Sequence, residues 1–427
     1  MEQSTISLAN VEDFKQKALV WANQFSVFVL LDSNNYAADK FAQKEWELAV
    51  DCIDSCIDFD DLSTFLSTKK NKNFGYLSYN LKNKFFKNLA TKTADKTGFK
   101  DLYFFEPRYH FSITKNKITI NRNSLEAAFL IDQINAIALD FTKDPTKIAL
   151  HNRTSKSEYI ENVNKIIQQI EAGDFYELNY CCELFNEDQP IHPIATFISL
   201  NRIAEAPFSS LVKHNESYLL CASPERYLQK NGKNILSQPI KGTIKKSSDD
   251  AENNSLIQQL SNDKKELAEN YMIVDLVRND LAINAKVGSV KVEELCQAYS
   301  FKNINQLIST ISAESAEDKG FCDYIQSTFP MGSMTGAPKY EVLKNIDSYE
   351  NFNRSLYAGS VGYIDMATDN FDFNVVIRSI FYNAKNNYLS IRVGSAITYN
   401  SNPEKEFEEL GEKAKSMCAA LNAEILG

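Results

Sequence analysis

Two helical patterns in the second half of the chain constrain its fold most strongly, because each combines an apolar stripe with a pair of glutamates. The first begins at Asp263, which is followed three residues later by Glu266 in the pattern of a capping box. This helix is predicted to continue to about Asn279, and Glu266 and Glu269 share one of its faces. The residues predicted to face the core are Leu267, Tyr271 and Val274.

The second pattern is the last helix, predicted to begin after Asn402 with Pro403 in its first turn. Glu406, Glu409 and Lys413 form its polar face. Its apolar stripe comprises Phe407, Leu410, Ala414, Met417 and Leu421.

The glutamate pairs on these two helices have two interpretations, and spacing along the chain does not separate them. Exposed glutamates on a solvated helix face are the common case. Alternatively, the two pairs meet across a cleft and hold Mg²⁺, which prefers a few carboxylates together with water.

The length of the chain and its charge limit the classes of function. The 427 residues, 44% hydrophobic and 24% charged, suffice for two or three domains or for one large integrated fold. The net charge of −10, with no stretch rich in Lys and Arg, argues against nucleic acid as the main partner. A small anion is compatible with this charge, because a local cationic pocket or a metal can outweigh the overall balance.

The cysteines and the N-terminal residues indicate the cellular compartment. The eight cysteines include no C-x-x-C pair, and the four histidines lie far apart, which favours reduced thiols in a cytosolic protein over a zinc site. The chain begins without the basic and apolar stretches of a secretory signal. The apolar run at residues 27–31 is too short to span a bilayer. We therefore expect a cytoplasmic protein without a membrane segment.

The first half is predicted to mix strands and helices. A helix is expected around residues 44–56, and polar connections at 143–146 and 152–157 mark the best boundary. A further helix is predicted over 158–172, closed by Gly173 in the left-handed conformation. Strands are expected at residues 25–31, 74–79 and 117–120.

Two further segments could take part in catalysis or binding, depending on their surroundings in the folded protein. Lys241, in Gln-Pro-Ile-Lys-Gly-Thr at 238–243, would be a nucleophile only if burial or a neighbouring cation lowered its pKa, and a lysine beside a glycine is usually solvated. Glycines followed by Pro338 at 329–339 predict a tight loop into a helix whose free N–H groups could receive a carboxylate. A purely structural turn explains this loop equally well.

Taken together, the chain resembles the chorismate-utilising enzymes, a family that includes anthranilate synthase component I, aminodeoxychorismate synthase component I, and the isochorismate and salicylate synthases. The resemblance covers residues 157–421, and the N-terminal part matches more weakly, through residues 30–33 (LLDS). The segments that carry the resemblance are 173–179 (GDFYELN), 206–209 (APFS), 223–226 (SPER), 238–243, 266–280, 332–339, 376–379 (VIRS), 394–397 (GSAI) and 406–413.

The resemblance implies an α+β fold like that of anthranilate synthase component I. Two orthogonally packed, mostly antiparallel β-sheets would be flanked by helices, with the site in a central cleft. Residues 1–150 would form the N-terminal region of this fold and residues 155–425 the chorismate-binding catalytic region.

The residue at Lys241 separates the branches of the family. Anthranilate synthases carry Ala there, whereas aminodeoxychorismate synthases carry a nucleophilic Lys. Isochorismate and salicylate synthases use a lysine base at the position of Glu177. With Lys241 and without a lysine at 177, the chain resembles the aminodeoxychorismate synthase branch, whose product leads to p-aminobenzoate and folate.

The resemblance implies a covalent mechanism. Lys241 would attack C2 of the chorismate ring while Glu225, as general acid, helps the C4 hydroxyl to leave; ammonia would then add at C4 and release the lysine. Glu225 needs a raised pKa to hold its proton, so a desolvated setting is expected. Without the resemblance, Glu225 would be interpreted as a partner of Arg226 or as a surface residue.

The same resemblance implies a substrate-binding set. Glu269 and Glu409 would bind Mg²⁺ directly, with Glu266 and Glu406 alongside or through water, and the ion would clamp the ring carboxylate. Further contacts are expected from Lys413 and the backbone of Gly242 and Thr243 to the ring carboxylate, from Arg378, Tyr357 and the N–H of Gly394 to the enolpyruvyl carboxylate, and from Thr335 to the ring. Alternatively, Arg378 is an ion-paired core arginine and Tyr357 a packing residue.

Three residues depart from the family pattern. Gln306 stands where a His is usual, and glutamine cannot shuttle a proton at neutral pH. Glu177 replaces a frequent Gln and adds a possible negative charge near the nucleophile. Ala396 replaces a common Gly, which restricts the backbone.

The sequence contains no Cys-His-Glu glutaminase domain, so we expect free ammonia or a separate glutamine amidotransferase subunit, in a heterodimer, to supply nitrogen. Two alternatives stay open. One is anthranilate synthase component I, and the other is a non-catalytic chorismate-binding relative, prompted by Gln306 and Ala396.

Overall fold

The computed structural model describes residues 3–42, 45–89, 91, 93–141 and 147–426. Within them the helices are α1 (Val11–Ala22), α2 (Phe59–Ser67), α3 (Lys82–Phe85), α4 (Ser124–Asn135), α5 (Lys156–Ala172), α6 (Pro193–Ala204), α7 (Asp250–Ser261), α8 (Lys264–Ala282), α9 (Phe321–Thr328), α10 (Lys339–Tyr349) and α11 (Pro403–Leu421). The strands are β1 (Ser4–Ser7), β2 (Val27–Asp32), β3 (Trp46–Cys56), β4 (Lys72–Leu77), β5 (Leu102–Thr114), β6 (Lys117–Ile120), β7 (Ile148–Asn152), β8 (Glu177–Asn186), β9 (Phe208–His214), β10 (Ser217–Ser223), β11 (Arg226–Asn231), β12 (Asn234–Gln238), β13 (Ile240–Lys245), β14 (Lys291–Ser300), β15 (Ile304–Glu314), β16 (Gly336–Ala337), β17 (Ser360–Asp365), β18 (Asn370–Asn374), β19 (Ser379–Asn383), β20 (Tyr388–Ile397) and β21 (Ala423–Leu426).

The strands pair almost entirely in antiparallel fashion. In the described part of the chain the one parallel pair of strands is β7 with β21. The pairings link all of these strands into one network, and helices cover its faces. The expected α+β class with mostly antiparallel strands is therefore confirmed.

The central strands bury both of their faces, and this produces two hydrophobic cores. On β2, Val27 and Val29 belong to one core while Phe28 and Leu30 belong to the other. Successive side chains of a strand point to opposite faces, so a strand between two cores, such as β2, carries apolar side chains on both faces.

Strands of the N-terminal region pair with strands of the C-terminal region. β2 pairs with β9, and β4 pairs with β17. The division at residue 150 stays a prediction; the connection at 143–146 lies outside the described residues, and 152–157 contains the turn between β7 and α5.

The predicted strands at 25–31, 74–79 and 117–120 are confirmed as β2, β4 and β6. The helix expected around 44–56 is wrong, because residues 46–56 form strand β3 between β2 and β5. Residues 46–50 (WELAV) are all buried, including Glu47, which pairs with Lys72. A short segment buried at every position fits a buried strand as well as a helix. Residue 44 lies outside the described residues.

The helices predicted in the second half are present. Ser155 caps α5, and Gly173 ends it with φ 87°, as expected. On α8, the Asp263 carboxylate accepts hydrogen bonds from the N–H groups of Lys265 and Glu266. Tyr271 is 51% exposed, so its predicted place in the core is wrong.

The predicted core position of Val274 is confirmed, and Leu267 is half-buried. The buried apolar residues of α8 are Ile273, Val274, Val277 and Leu281. The stripe predicted for α11 is confirmed: Leu410, Ala414, Met417 and Leu421 are buried and Phe407 packs against the same core.

The glycine-containing loop leads into a helix, as predicted. Residues 332–334 form one 3₁₀ turn, β16 pairs with the start of β8, and α10 follows. No helix within the described ranges is long and apolar enough to cross a membrane.

Candidate active site

A cavity of about 160 Å³ lies between β13, β20, α8 and α11. Most of the side chains and backbone groups that the sequence predicted for substrate, metal and catalysis line it. These are Glu225, Lys241, Gly242, Thr243, Glu266, Glu269, Tyr357, Arg378, Gly394, Glu406, Glu409 and Lys413.

Thr335 is the predicted residue that does not line this cavity. It is fully buried, and its hydroxyl donates a hydrogen bond to the carbonyl of Met331 at 3.1 Å. Its neighbours Ser333 and Met334 reach the cavity instead.

Lys241 is directed into the cavity by an irregularity in β13. The pairing of β13 with β15 shifts register between Ile240 and Thr243, and a bulge of this kind re-aims a side chain. The side-chain amide of Asn270 on α8 donates to the carbonyl of Lys241 at 2.9 Å, which holds the bulge against the helix.

Lys241 forms an ion pair with Glu177 in this structure. Its amine is therefore charged, contrary to the expectation of an uncharged amine. Its Nζ lies 2.5 Å from Oε1 of Glu177, and both side chains are buried. Burial lowers the pKa of Lys241, but the charges of Glu177, Glu269 and Glu225 outweigh burial and raise the pKa. Burial alone would favour the uncharged amine. The three carboxylates, which are remote from Lys241 in the sequence, reverse this effect.

Glu225 is a buried carboxyl group held in place by two donors. Ser333 Oγ donates to Oε1 at 2.7 Å, and the backbone N–H of Ile240 donates as well. Burial raises the pKa of Glu225 to about 7, although Ser333 and Lys241 act in the opposite direction. The desolvated setting expected for this residue is confirmed, so a proton can be held near neutral pH.

Arg226, the next residue, does not pair with Glu225. Its guanidinium contacts Asp39 and Asp372, each at 2.9 Å. The interpretation of Glu225 as a partner of Arg226 is therefore wrong.

The glutamate pairs of α8 and α11 meet across the cavity, which spacing along the chain could not show. Glu269 and Glu406 are buried, whereas the side chain of Glu409 is 48% exposed. Lys265 lies among them, with its Nζ 2.7 Å from Glu406 and 3.8 Å from Glu269.

These carboxylates suit a divalent cation by their chemistry. Burial raises the pKa of Glu269 to about 8, with further repulsion from Glu177 and Glu266, and Oε1 of Glu269 is buried without a hydrogen-bond partner in the described structure. Carboxylate oxygens are the ligands Mg²⁺ prefers. The described residues nonetheless contain no group of three or more His, Cys, Asp or Glu side chains close enough to hold a metal.

The same cavity also presents cations, beside α11. Arg378 donates to the carbonyl of Lys413 at 3.2 Å and makes no ion pair with any described residue, so its interpretation as an ion-paired core arginine is wrong. Lys413 donates to the carbonyl of Gly394 and to Glu409, each at 2.7 Å. Burial lowers the pKa of Arg378, which means that its charge is desolvated and would gain from an anion.

Comparison with known proteins assigns the chain that forms this cavity to a family. A family model described as chorismate binding enzyme matches residues 22–419. The chain belongs to the chorismate-binding enzymes.

Relatives within the chorismate-binding enzymes include proteins of two activities. The chain is 34% identical over 303 residues to the probable chloroplastic aminodeoxychorismate synthase of Oryza sativa subsp. japonica, covering 70% of this chain and 33% of the relative. It is 34% identical over 277 residues to the aminodeoxychorismate synthase of Streptomyces griseus, 64% of this chain and 38% of the relative. It is 30% identical over 359 residues to anthranilate synthase component 1 of Thermus thermophilus, 81% of this chain and 76% of the relative. The chain thus spans little more than a third of the first two relatives.

Solved structures show the same fold. The menaquinone-specific isochorismate synthase from Escherichia coli superposes with a TM-score of 0.76 at 18% identity, covering 98% of this chain and 94% of that chain. Anthranilate synthase component I from Streptococcus pneumoniae gives 0.74 at 21% identity, covering 98% and 92%. The expected α+β fold, like that of anthranilate synthase component I, is confirmed.

Several residues of this chorismate-binding enzyme line the cavity although the sequence did not single them out. They include Asn179, Lys265, Ser333 and Arg392. Arg392 lies two residues before Gly394 on β20, so strand alternation could have placed both on one face. Ser333 had no such signal, because its bond to Glu225 joins residues 108 positions apart.

The departures from the family pattern have local structural consequences. Gln306 lines the cavity, donates to Thr243 Oγ1 at 3.0 Å, and its Oε1 has no hydrogen-bond partner in the described part of the chain. Ala396 pairs regularly with Asn179 and its φ is not positive, so β20 accepts a side chain there.

Proposed function

We propose that this chorismate-binding enzyme is an aminodeoxychorismate synthase component I. The observation that supports this most directly is the pair of Lys241 and Glu225, buried on one cavity that is also lined by carboxylates and by the cations Arg378 and Lys413. An amine and a protonated carboxyl in one desolvated site are the two groups that a covalent, acid-assisted displacement requires.

In the proposed reaction the electron pair of the Lys241 amine forms a bond to C2 of chorismate. Both ring double bonds shift by one position toward C4, the C4–O bond breaks, and the proton of Glu225 leaves with the hydroxyl as water. Ammonia then bonds to C4, both double bonds shift back, the N–C2 bond breaks, and Glu225 takes back a proton from the new amine. The product is 4-amino-4-deoxychorismate, the precursor of p-aminobenzoate and folate.

The two substrate carboxylates would bind to two sets of groups in the cavity. Arg378, with Tyr357 and the N–H of Gly394, suits the enolpyruvyl carboxylate, because a planar guanidinium without an ion pair recognises a carboxylate with two parallel bonds. Lys413 and the backbone at Gly242 and Thr243 suit the ring carboxylate.

Mg²⁺ is proposed as the cofactor. Glu269 and Glu409 would hold it, with Glu266 and Glu406 alongside or through water. When bound, the ion would orient the ring carboxylate and neutralise its charge. Lys265, which contacts Glu406 and Glu269, would have to move aside for the metal.

Nitrogen is proposed to come as ammonia from a glutamine amidotransferase subunit. Two relatives, from Escherichia coli and Salmonella typhimurium, are named aminodeoxychorismate synthase component 1. If such a subunit produced no glutamine-dependent turnover while ammonium salts did, the partnership would be wrong.

The first experiment is product analysis with variants of β13. With chorismate, Mg²⁺ and ammonium, we expect 4-amino-4-deoxychorismate, and without ammonium an adduct on Lys241 visible in the intact mass. Lys241→Ala should abolish the adduct and lower turnover at least about 10²-fold, the scale of losing a catalytic group. Lys245→Ala, an exposed lysine on the same strand, should change neither. Unchanged turnover in Lys241→Ala would refute the mechanism.

Anthranilate synthase component I is the second candidate, favoured by the Thermus thermophilus relative that covers 81% of this chain. It would yield anthranilate and pyruvate in the same assay. The non-catalytic alternative predicts chorismate binding without either product.

A further inference from the structure

The charge on Lys241 must be removed before the proposed reaction can begin. A protonated amine has no electron pair to give, so Lys241 must lose a proton before it attacks carbon. In the structure the amine is buried and ion-paired, and a proton acceptor must therefore lie within its reach.

Glu177 meets this requirement by its position. It is the first residue of β8, it is fully buried, and its Oε1 lies 2.5 Å from Nζ of Lys241. Glu177 does not line the cavity, so a substrate there would touch Lys241 and not Glu177. Its second oxygen, Oε2, is buried and has no hydrogen-bond partner within the described residues.

Other carboxylates face Lys241 but are less suited to take its proton. Glu225, next to β11, already accepts bonds from Ser333 and Ile240 and must itself donate a proton to the leaving hydroxyl. Glu266 and Glu269 on α8 act on Lys241 through their charge, and neither is hydrogen-bonded to it in the described structure. Glu177 is the acceptor that the Nζ–H bond already points to.

We propose that Glu177 takes the proton from Lys241 to create the nucleophile and returns it when the amine is released. This inference rests on the proposed function. The transfer converts an ammonium and a carboxylate into an amine and a carboxylic acid, so no charge enters or leaves the site. When the N–C2 bond breaks, the amine regains its electron pair and then the proton from Glu177, which restores the ion pair.

An internal transfer has a measurable consequence. Because the proton stays within the pair, the rate of adduct formation should not depend on pH between about 5 and 6, where Glu225, with a pKa of about 7, keeps its proton. Without an acceptor, Lys241 must release its proton to solvent, and the rate should then fall about tenfold for each unit of lower pH.

The experiment measures adduct formation by quenching and intact mass, without ammonia, in the wild type, Glu177→Gln and Glu177→Asp. We expect a flat profile in the wild type, a tenfold-per-unit acid decline in Glu177→Gln, and a flat but slower profile in Glu177→Asp, which keeps the carboxyl group. The control is Asp347→Asn, which removes the partner of buried Lys82 at 2.7 Å, away from the cavity, and should keep the flat profile.

Each outcome decides the matter. A flat profile at wild-type rate in Glu177→Gln, or the acid decline already in the wild type, overturns the role of Glu177. If Glu177→Gln does not fold, the wild-type profile and that of Glu177→Asp still test the inference, since an acid decline in either contradicts it. Absence of any adduct in the wild type would instead refute the proposed function.

Discussion

At the residue scale, the protonation states in the cavity are set by neighbours that are remote in sequence. Glu225 holds its proton because burial raises its pKa to about 7. Lys241 keeps its charge because Glu177, 64 positions earlier, pairs with it. Two buried ionisable groups on one cavity thus shift toward the proton-bound state for opposite reasons.

The pKa of Glu225 predicts that the rate of adduct formation decreases at alkaline pH. In the proposed reaction Glu225 acts as an acid and must be protonated, so the rate should fall above about pH 7. Ser333→Ala removes a hydrogen bond that lowers the pKa of Glu225, and the pKa should therefore rise and the decrease move to higher pH. Rates measured from pH 6 to 9 test this, with the exposed Ser348→Ala as control. A shift of the decrease to lower pH in Ser333→Ala would contradict the assignment.

At the scale of secondary-structure elements, the cavity depends on close backbone contacts between short segments. β16 pairs with the start of β8, and this contact covers the backbone beside Glu177. Gly336 makes the approach possible: its φ is 131°, and a Cβ there would lie 2.0 Å from the carbonyl oxygen of Glu177. Only a glycine allows two backbones to come this close.

A matched pair of glycine variants tests this contact. Gly232→Ala, at φ 59° with nothing within 4 Å, carries only the conformational penalty, about 1 kcal/mol in the free energy of unfolding. Gly336→Ala adds an overlap with backbone, and we expect a further loss of about 2 kcal/mol or more. Urea unfolding measures both, and equal losses in the two variants would show that β16 can move away from β8 freely.

At the scale of the whole molecule, the N-terminal and C-terminal regions share one strand network and two cores. β2 and β4 insert beside β9 and β17, so neither region has a complete sheet of its own. Elements that complete each other's cores are expected to unfold together.

Cooperative unfolding can be measured with probes from each region. The only two tryptophans, Trp21 and Trp46, report on the N-terminal region, and the buried thiols of Cys181, Cys182 and Cys221 report on the C-terminal region. In urea, the fluorescence change and the exposure of these thiols to a labelling reagent should share one midpoint. A fluorescence transition at clearly lower urea would show that residues 1–150 unfold separately.

Local periodicity predicted much of the secondary structure that carries the site. The caps at Asp263 and Gly173 and the stripe of α11 follow from 3.6-residue spacing and from backbone donors near a helix end, which depend on neighbours a few positions away. Periodicity failed at residues 46–56, because the short segment 46–50, buried at every position, fits a helix or a doubly buried strand, and only pairing with β2 and β5 selects the strand.

Sequence comparison is enough to assign the family, and helix periodicity is enough to put Glu266, Glu269, Glu406 and Glu409 on helix faces. That these faces meet in one cavity, and that Lys241 is charged there, follows from the three-dimensional arrangement. The physical reason is range: helix geometry acts over a few residues, whereas the dielectric and the charges around a buried amine come from strands and helices that are far apart along the chain.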